Sequence, residues 1–493
     1  MNPKSAYQKL LQRSKEVHLL ETTAALVSWD TETKMPKDGI EHRSNQSAYL
    51  SGKSHQLQTA KSVGDWIEAC EGGDFDPNSA EGLNVREWRY NYDRETKLPN
   101  KLVEEFEKAK VTAHSVWAEA REKSDFALFL PHLEKVVDFT RQKAECFGYE
   151  DEPYDALLES YERGAKTRDI AKLFDSLQPD LVEIVGEATS QKPRVDEQLL
   201  KGTYPELKQK EFNQRVAEGI GFDFNAGRID TAVHPFCTTL GPRDVRLTTR
   251  YDKKDFTGSL YGVLHEAGHG MYEQGLPQDS LPTSKAVSLG IHESQSRLWE
   301  NQIGRSQAFW KKWLPDAAKT FPRLKNVKPK QMHLAVNRAE RSFIRVEADE
   351  VTYDLHIILR FRVERAMISG EVSIADIPAF WNETYKDLFG IEVDKDSNGC
   401  LQDVHWSFGL IGYFPTYSLG NINAAQLFDR AMQNSTIRDD VEKASYASLL
   451  DWLRKKIHVH GTRYMPKELI KRATGKLPQS RYLLEHLRNR YLR

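Results

Sequence analysis

His265 and His269 stand four residues apart, and Glu266 directly follows the first of them. On an α-helix, residues at this spacing lie roughly 40° from a common azimuth and about 6 Å apart along the axis, so both imidazoles reach one metal ion. Glu266 then faces a water in the ion's open position and takes its proton as general base. A His-Glu-x-x-His run also arises by chance in a chain with 15 His, so its surroundings decide. Asp255-Phe256-Thr257 offers caps, Val263-Leu264 are apolar, and Gly275 followed by Pro277 is a stop signal. These signals place the motif in mid-helix, as the chemistry requires.

A catalytic zinc takes three protein ligands and keeps one position for water. The next helical stretch starts at a capping Ser288 and offers Glu293 and Glu300. Glu293 is the stronger candidate, because the third ligand of Glu-liganded zincins commonly follows the second His by about two dozen residues on a neighbouring helix. His292 competes, but it points about 100° away from Glu293 on the same helix and is assigned to support behind the ligands. The bland alternative for this Glu-rich turn is a solvated helix face.

The elements that must position these groups are mostly helical. Apolar periodicity predicts helices from Ala6 to about Val27, then over 39–70, 84–93, 99–123, 126–147, 167–189 and 205–220. Between Phe222 and Tyr251 the residues become β-branched and turn-rich, which predicts a small antiparallel sheet just before the motif helix. Pro235 removes a backbone donor and argues for an edge position, where an extended peptide pairs main chain to main chain. Helices are predicted again over 306–321 and 329–369. The second would carry Arg345 either on its wet side or facing a cleft, where a guanidinium fork matches a carboxylate. A polar cluster, Gly399 to Trp406, and a Gly-Pro-rich stretch, Gly409 to Tyr417, read as loops, which more often carry function than packing. Amphipathic helices fill about 420–493 and end in a basic tail, Arg488 to Arg493, read as solvated.

Composition narrows the partners. Lys+Arg 70 nearly cancels Asp+Glu 72, and no basic cluster interleaves with aromatics, so nothing points to nucleic acid or an anionic membrane. A small polar substrate is the expected partner. Cys70, Cys146, Cys237 and Cys400 are scattered without metal or disulfide spacing, which fits free thiols in a reducing compartment. With no secretory signal and no membrane-length apolar run, the cytoplasm is the expected location.

Six motifs now stand in order: His234-Pro235-Phe236, Asp244-x-Arg246-x-Thr248, His265-Glu266-x-x-His269, His292-Glu293-Ser294-Gln295, Ile344-Arg345-x-x-Ala348-Asp349 and Gly399-x-x-Gln402-Asp403-x-His405-Trp406. The set resembles the carboxypeptidase Taq-type metallocarboxypeptidases, and chain length together with the early Trp29-Asp30 and Met35-Pro36 segment extends the resemblance over nearly the whole protein. It implies a mainly α fold: a large helical zincin-type metallopeptidase with a deep central groove and the small sheet beside the active site. That architecture is related to angiotensin-converting enzyme and neurolysin-like peptidases. It further implies one Zn2+ per chain, with Co2+ as the alternative, a homodimer, and release of single C-terminal residues with broad preference except at proline. Residues 1–493 would form one catalytic unit, with a helical wall over about 1–220, the sheet and zinc region over about 221–420, and C-terminal helices over about 421–493.

The resemblance also nominates His405 with Tyr413 or Tyr417 as donors to the tetrahedral intermediate, and His234 and Gln402 as substrate contacts. A terminal carboxylate calls for an arginine, with Arg345 the first candidate and Arg246 the second. An oligopeptidase or dipeptidyl carboxypeptidase would share the same zinc helices and differ in where the groove is closed. A helical peptide-binding protein without catalysis is disfavoured by the intact ligand set and by Glu266.

Overall fold

The computed structural model describes every residue except 192–194. Its first helix, Pro3–Thr33, starts where sequence chemistry says it should: proline in the first turn and the Asn2 side chain accepting from the Lys4 amide at 2.9 Å. It runs past Trp29, beyond the expected end. Thr31 and Thr33 bond the carbonyls one turn back, at 2.8 and 2.6 Å, and the first strong breaker is Pro36.

Two expected helices are each divided. The stretch 39–70 forms Ile40–Gln58 and Lys61–Glu71, because the Thr59 amide and hydroxyl both return to the His55 carbonyl and close the first helix. The stretch 329–369 forms Pro329–Val336 and Tyr353–Ser369. Between them the Asp349 carboxylate takes the amides of Glu340, Val351 and Thr352 at 2.7 to 3.0 Å and so competes with a helical ladder. Arg345 therefore stands in a single 3-10 turn, Arg345–Glu347, inside an irregular connection and not on a long helix.

The sheet has three strands, β1 (Gly227–Thr231), β2 (Cys237–Gly241) and β3 (Asp244–Thr249), in the order β1-β3-β2. Only the β2–β3 pair is antiparallel; β1 runs parallel to β3, with Arg228 opposite Arg246, so the expected antiparallel sheet is mixed. The chain crosses from β1 to the far side, and a tight hairpin with Gly241 and Arg243 at positive φ folds β3 back into the gap. Pro235 lies just before β2, outside the ladder.

The sheet rests on the motif helix, Phe256–Gly275, whose Asp255 cap accepts from the amides of Thr257 and Gly258. One core surrounds that helix through Leu260, Val263, Leu264, Ala267 and Met271. A second joins the helices of residues 100–185 to the Tyr353–Ser369 helix, and a small third one, built on Ala6, Leu10, Ile67 and Trp88, belongs to the N-terminal helices. The basic tail is only partly solvated. Arg490 reaches the Asn301 carbonyl at 2.5 Å and the buried Glu350 carboxylate at 3.1 Å, and Tyr491 is buried, because a buried carboxylate needs cationic partners.

Candidate metal centre

The ligand helix, Leu289–Arg297, starts at the Ser288 cap. It is clamped between the motif helix and the helix Pro415–Met432. Glycine makes both approaches possible: a Cβ on Gly268 would stand 2.6 Å from the Gln295 carbonyl oxygen, and one on Gly420 would stand 2.4 Å from Glu293 Cγ. No larger residue fits at either crossing without moving a helix.

This packing brings His265, His269 and Glu293 together, with candidate ligand atoms all within 4.8 Å of one another. Glu293 Oε2 lies 3.6 Å from His265 Nε2 and 3.5 Å from His269 Nε2. Ligands about 2.0–2.1 Å from a tetrahedral ion are about 3.4 Å from each other, so the three atoms suit one shared zinc-sized cation. Among the described residues this is the one cluster of that kind.

Each candidate ligand is held from behind. His265 Nδ1 lies 2.9 Å from Glu300 Oε2, so the ring donates there and turns Nε2 inward. His269 Nδ1 lies 3.0 Å from the His292 carbonyl and 2.6 Å from His292 Nδ1. The His292 Nε2 lies 2.8 Å from Glu273, whose other oxygen accepts from Thr239. Arg297 Nε donates to Glu293 Oε1 at 2.6 Å. His292 and Glu300, the rival ligands by sequence, therefore stand behind the histidines.

The electrostatics fit a cation. Burial opposes charge on His265, yet Glu293 and Glu300 outweigh it and hold the ring up at about 9. Burial and the neighbouring His292 push His269 down to about 3. Burial pushes the Glu266 carboxyl up to about 7, with Glu293 adding to the effect of burial and His265 opposing it. A surplus of carboxylates around two imidazoles is a site that a metal ion neutralises with release of a proton.

Beside this centre, Tyr413 and Tyr417 pack ring to ring at 5.3 Å, and His405 lies against Tyr413 at 5.4 Å and Phe414 at 4.5 Å. Burial first, then Glu293, pushes the Tyr413 hydroxyl up to about 12. Burial pushes His405 down to about 4, so its ring is neutral near pH 7 although Asp403 Oδ1 lies 4.0 Å from Nδ1.

Residues 9–491 match the carboxypeptidase Taq (M32) metallopeptidase family. The chain belongs to this family. It is 42% identical over 505 residues to thermostable carboxypeptidase 1 of Thermus thermophilus, covering 100% of this chain and 99% of that protein. It is 38% identical over 481 residues to carboxypeptidase 1 of Bacillus subtilis, covering 97% and 96%. The crystal structure of the M32 carboxypeptidase from Deinococcus radiodurans R1 matches with TM-score 0.95 at 37% identity over 99% of both chains. This Taq-type carboxypeptidase is thus a metallocarboxypeptidase, a peptide hydrolase of mainly helical fold that takes a metal cofactor.

The remaining candidates of the Taq-type carboxypeptidase are spread more widely. Arg345 is buried, donates through Nε and Nη2 to Asp403 Oδ1 and through Nη1 to the Tyr353 hydroxyl, and faces the Tyr417 ring at 5.1 Å. Arg246 pairs with Asp244 at 3.0 Å and lies over the Trp29 ring at 4.3 Å. Gln402 accepts from the Arg345 amide and from Arg360, and donates to the carbonyls of Phe343, Asn398 and Gly399. Its amide is thus engaged within the protein. His234 is exposed in the β1–β2 connection.

Sequence reasoning passed over Arg297 and Arg360. Arg297 stands one turn after Glu293, a spacing that signals a pair. Arg360 is fully buried and bonds Asp403 Oδ2 at 2.6 Å; a lone arginine inside the apolar run Ile357 to Phe361 was its signal.

Proposed function

We propose that this enzyme removes single residues from the free C-terminus of peptides, with broad side-chain preference except at proline, using Glu266 as general base. The observation that carries the reading is the convergence of His265, His269 and Glu293 with the buried Glu266 on the same helical turn. His265, His269 and Glu293 would hold a zinc ion, or cobalt in its place, which would supply Lewis-acid chemistry to acidify a water and polarise the scissile carbonyl. Glu266, buried beside the two histidines, takes the water's proton and returns it to the leaving amine. His405, neutral near pH 7, donates a ring N–H to the developing oxyanion, with Tyr413 or Tyr417 as the second donor.

Arg345 reads the terminal carboxylate. Arg345 and Arg360 share the single carboxylate of Asp403, so the buried cluster carries one positive charge in excess, which an incoming carboxylate neutralises. Arg246, Gln402 and His234 would contribute further along the groove or through their neighbours. The same reading has residues 1–493 as one catalytic unit with one metal ion per chain, active as a homodimer in the cytoplasm. Free thiols at all four cysteines and the absence of any membrane-length apolar helix among the described residues accord with it.

Mass spectrometry of a free-carboxylate peptide ladder tests the proposal, with chelator and then with zinc or cobalt restored. Stepwise loss of single C-terminal residues, stopped by chelation and rescued by metal, is the expected result. Release of dipeptides or internal fragments would transfer the chain to the dipeptidyl carboxypeptidase or oligopeptidase reading.

A further inference from the structure

Glu364 lies on the Tyr353–Ser369 helix, outside every motif that marks the site, and is fully buried. Three donors converge on its carboxylate. Trp406 Nε1 donates to Oε1 at 3.0 Å, and the Gly412 amide and Tyr154 hydroxyl donate to Oε2 at 3.0 and 2.7 Å. Trp406 is the residue after His405, and Gly412 is the residue before Tyr413. Arg360, one turn earlier on the same helix, grips Asp403 and Gln402 just ahead of His405.

Two buried side chains on successive turns thus hold the 402–413 segment at four residues, Gln402, Asp403, Trp406 and Gly412, and the two proposed donors lie beside the two held by Glu364. Arg345 also bonds Asp403 and Gln402, and backbone turns close at Ser407, Gly409 and Leu410, whereas Glu364 is the group that takes the Trp406 indole and the Gly412 amide. The segment contains one four-residue 3-10 turn, His405–Phe408, and otherwise lacks regular structure up to Pro415. Gly412 adopts φ +95, and a Cβ there would stand 3.0 Å from the Leu157 backbone, so the loop is pressed against its support at the place where Glu364 takes the amide. Buried donors left without acceptors are costly, and the two oxygens of Glu364 satisfy all three at one place.

We infer that Glu364 is a positioning residue for peptide hydrolysis: through Trp406 and Gly412 it fixes His405 and Tyr413 against the metal centre. The inference rests on the donor role proposed above for His405 and takes Tyr413, not Tyr417, as the second donor.

The test compares kcat and KM of the full zinc-loaded chain with those of Glu364→Gln and Trp406→Phe, on one free-carboxylate peptide. Both substitutions are then repeated in a His405→Ala, Tyr413→Phe background, with zinc content measured throughout. A displacement of about 1 Å at a catalytic donor costs about 100-fold, so kcat should fall about 10- to 100-fold with KM within about threefold and zinc content unchanged. In the donor-free background neither substitution should lower kcat further, because nothing is left to position. Should Glu364→Gln fail to fold, Trp406→Phe keeps an aromatic ring in place, removes one N–H and carries the test. Unchanged kcat in the parent chain, or an equal fall in both backgrounds, overturns the inference alone. If removing both donors leaves kcat unchanged, the donor reading falls and takes this inference with it.

Discussion

Arg297 Nε meets Glu293 Oε1 at 2.6 Å, one helical turn along, while Glu293 Oε2 faces the two imidazoles of the metal centre. The guanidinium is almost fully enclosed and also reaches Glu300 at 3.4 Å, so a single cation orients one ligand and the support of another. Removing such a support typically weakens metal binding 10- to 100-fold. Arg297→Ala should lose affinity by about that factor in a chelator competition, and Arg297→Lys should recover part of it.

Glu266→Gln should bind zinc with near-normal affinity yet turn over several orders of magnitude more slowly, since the amide keeps the shape and loses the base. Metal analysis and steady-state kinetics on the same preparation check this. Near-normal turnover with metal retained would remove Glu266 from the mechanism.

Arg345→Ala should hurt peptides with a free C-terminus more than their amidated counterparts. The comparison of kcat/KM on the pair isolates carboxylate recognition from the loss of the Asp403 partner, which affects both substrates alike. Equal losses would assign Arg345 to the support of Asp403 only.

Gly420→Ala drives a methyl to 2.4 Å from Glu293 Cγ. It should lower stability by about 1–3 kcal/mol and weaken zinc binding together. Gly52→Ala, in the helix Ile40–Gln58 with no atom within 4 Å of the added carbon, should instead stabilise by about 0.5–1 kcal/mol. Urea midpoints of the two variants read both signs.

Glu162 lies under the start of the ligand helix, where its carboxylate accepts from the Gly290 amide at 3.0 Å; burial pushes it up to about 7. Its folded value lies above the unfolded one, so its contribution is fully present below about pH 4.3 and is lost as pH rises through about 7. The cost at pH 8 is of order 3 kcal/mol. Glu162→Gln should narrow the stability difference between pH 5 and pH 8 measured by urea unfolding. A difference unchanged from the parent would show that Glu162 does not titrate in that window.

The motif helix and its ligand partner were legible because their signals are local: an aspartate cap, a serine cap, a glycine-proline stop and a histidine pair at one-turn spacing. The order of the strands was not, since β-branched residues report extended chain and are silent on which strand fills the middle. Arg345 was placed on a helix because its neighbours have apolar periodicity; the Asp349 side chain, which breaks that helix by taking three amides, acts across nine residues and leaves no periodic trace. The tail was misjudged for a similar reason. Its arginines look solvated until Glu350, 140 residues earlier, is seen waiting for Arg490.

The clamp on the ligand helix has a consequence for how the centre fills. At Gly268 the helices meet backbone to backbone, and at Gly420 the crossing closes on the Cβ and Cγ of Glu293, which leaves that side chain few rotamers to lose. The entropy of assembling the three ligands is therefore spent when the protein folds, and little is left to spend when the ion arrives. Metal entry in this enzyme is then a docking step into a rigid socket. Its rate should follow access and proton release at His265 and stay insensitive to denaturant well below the unfolding transition.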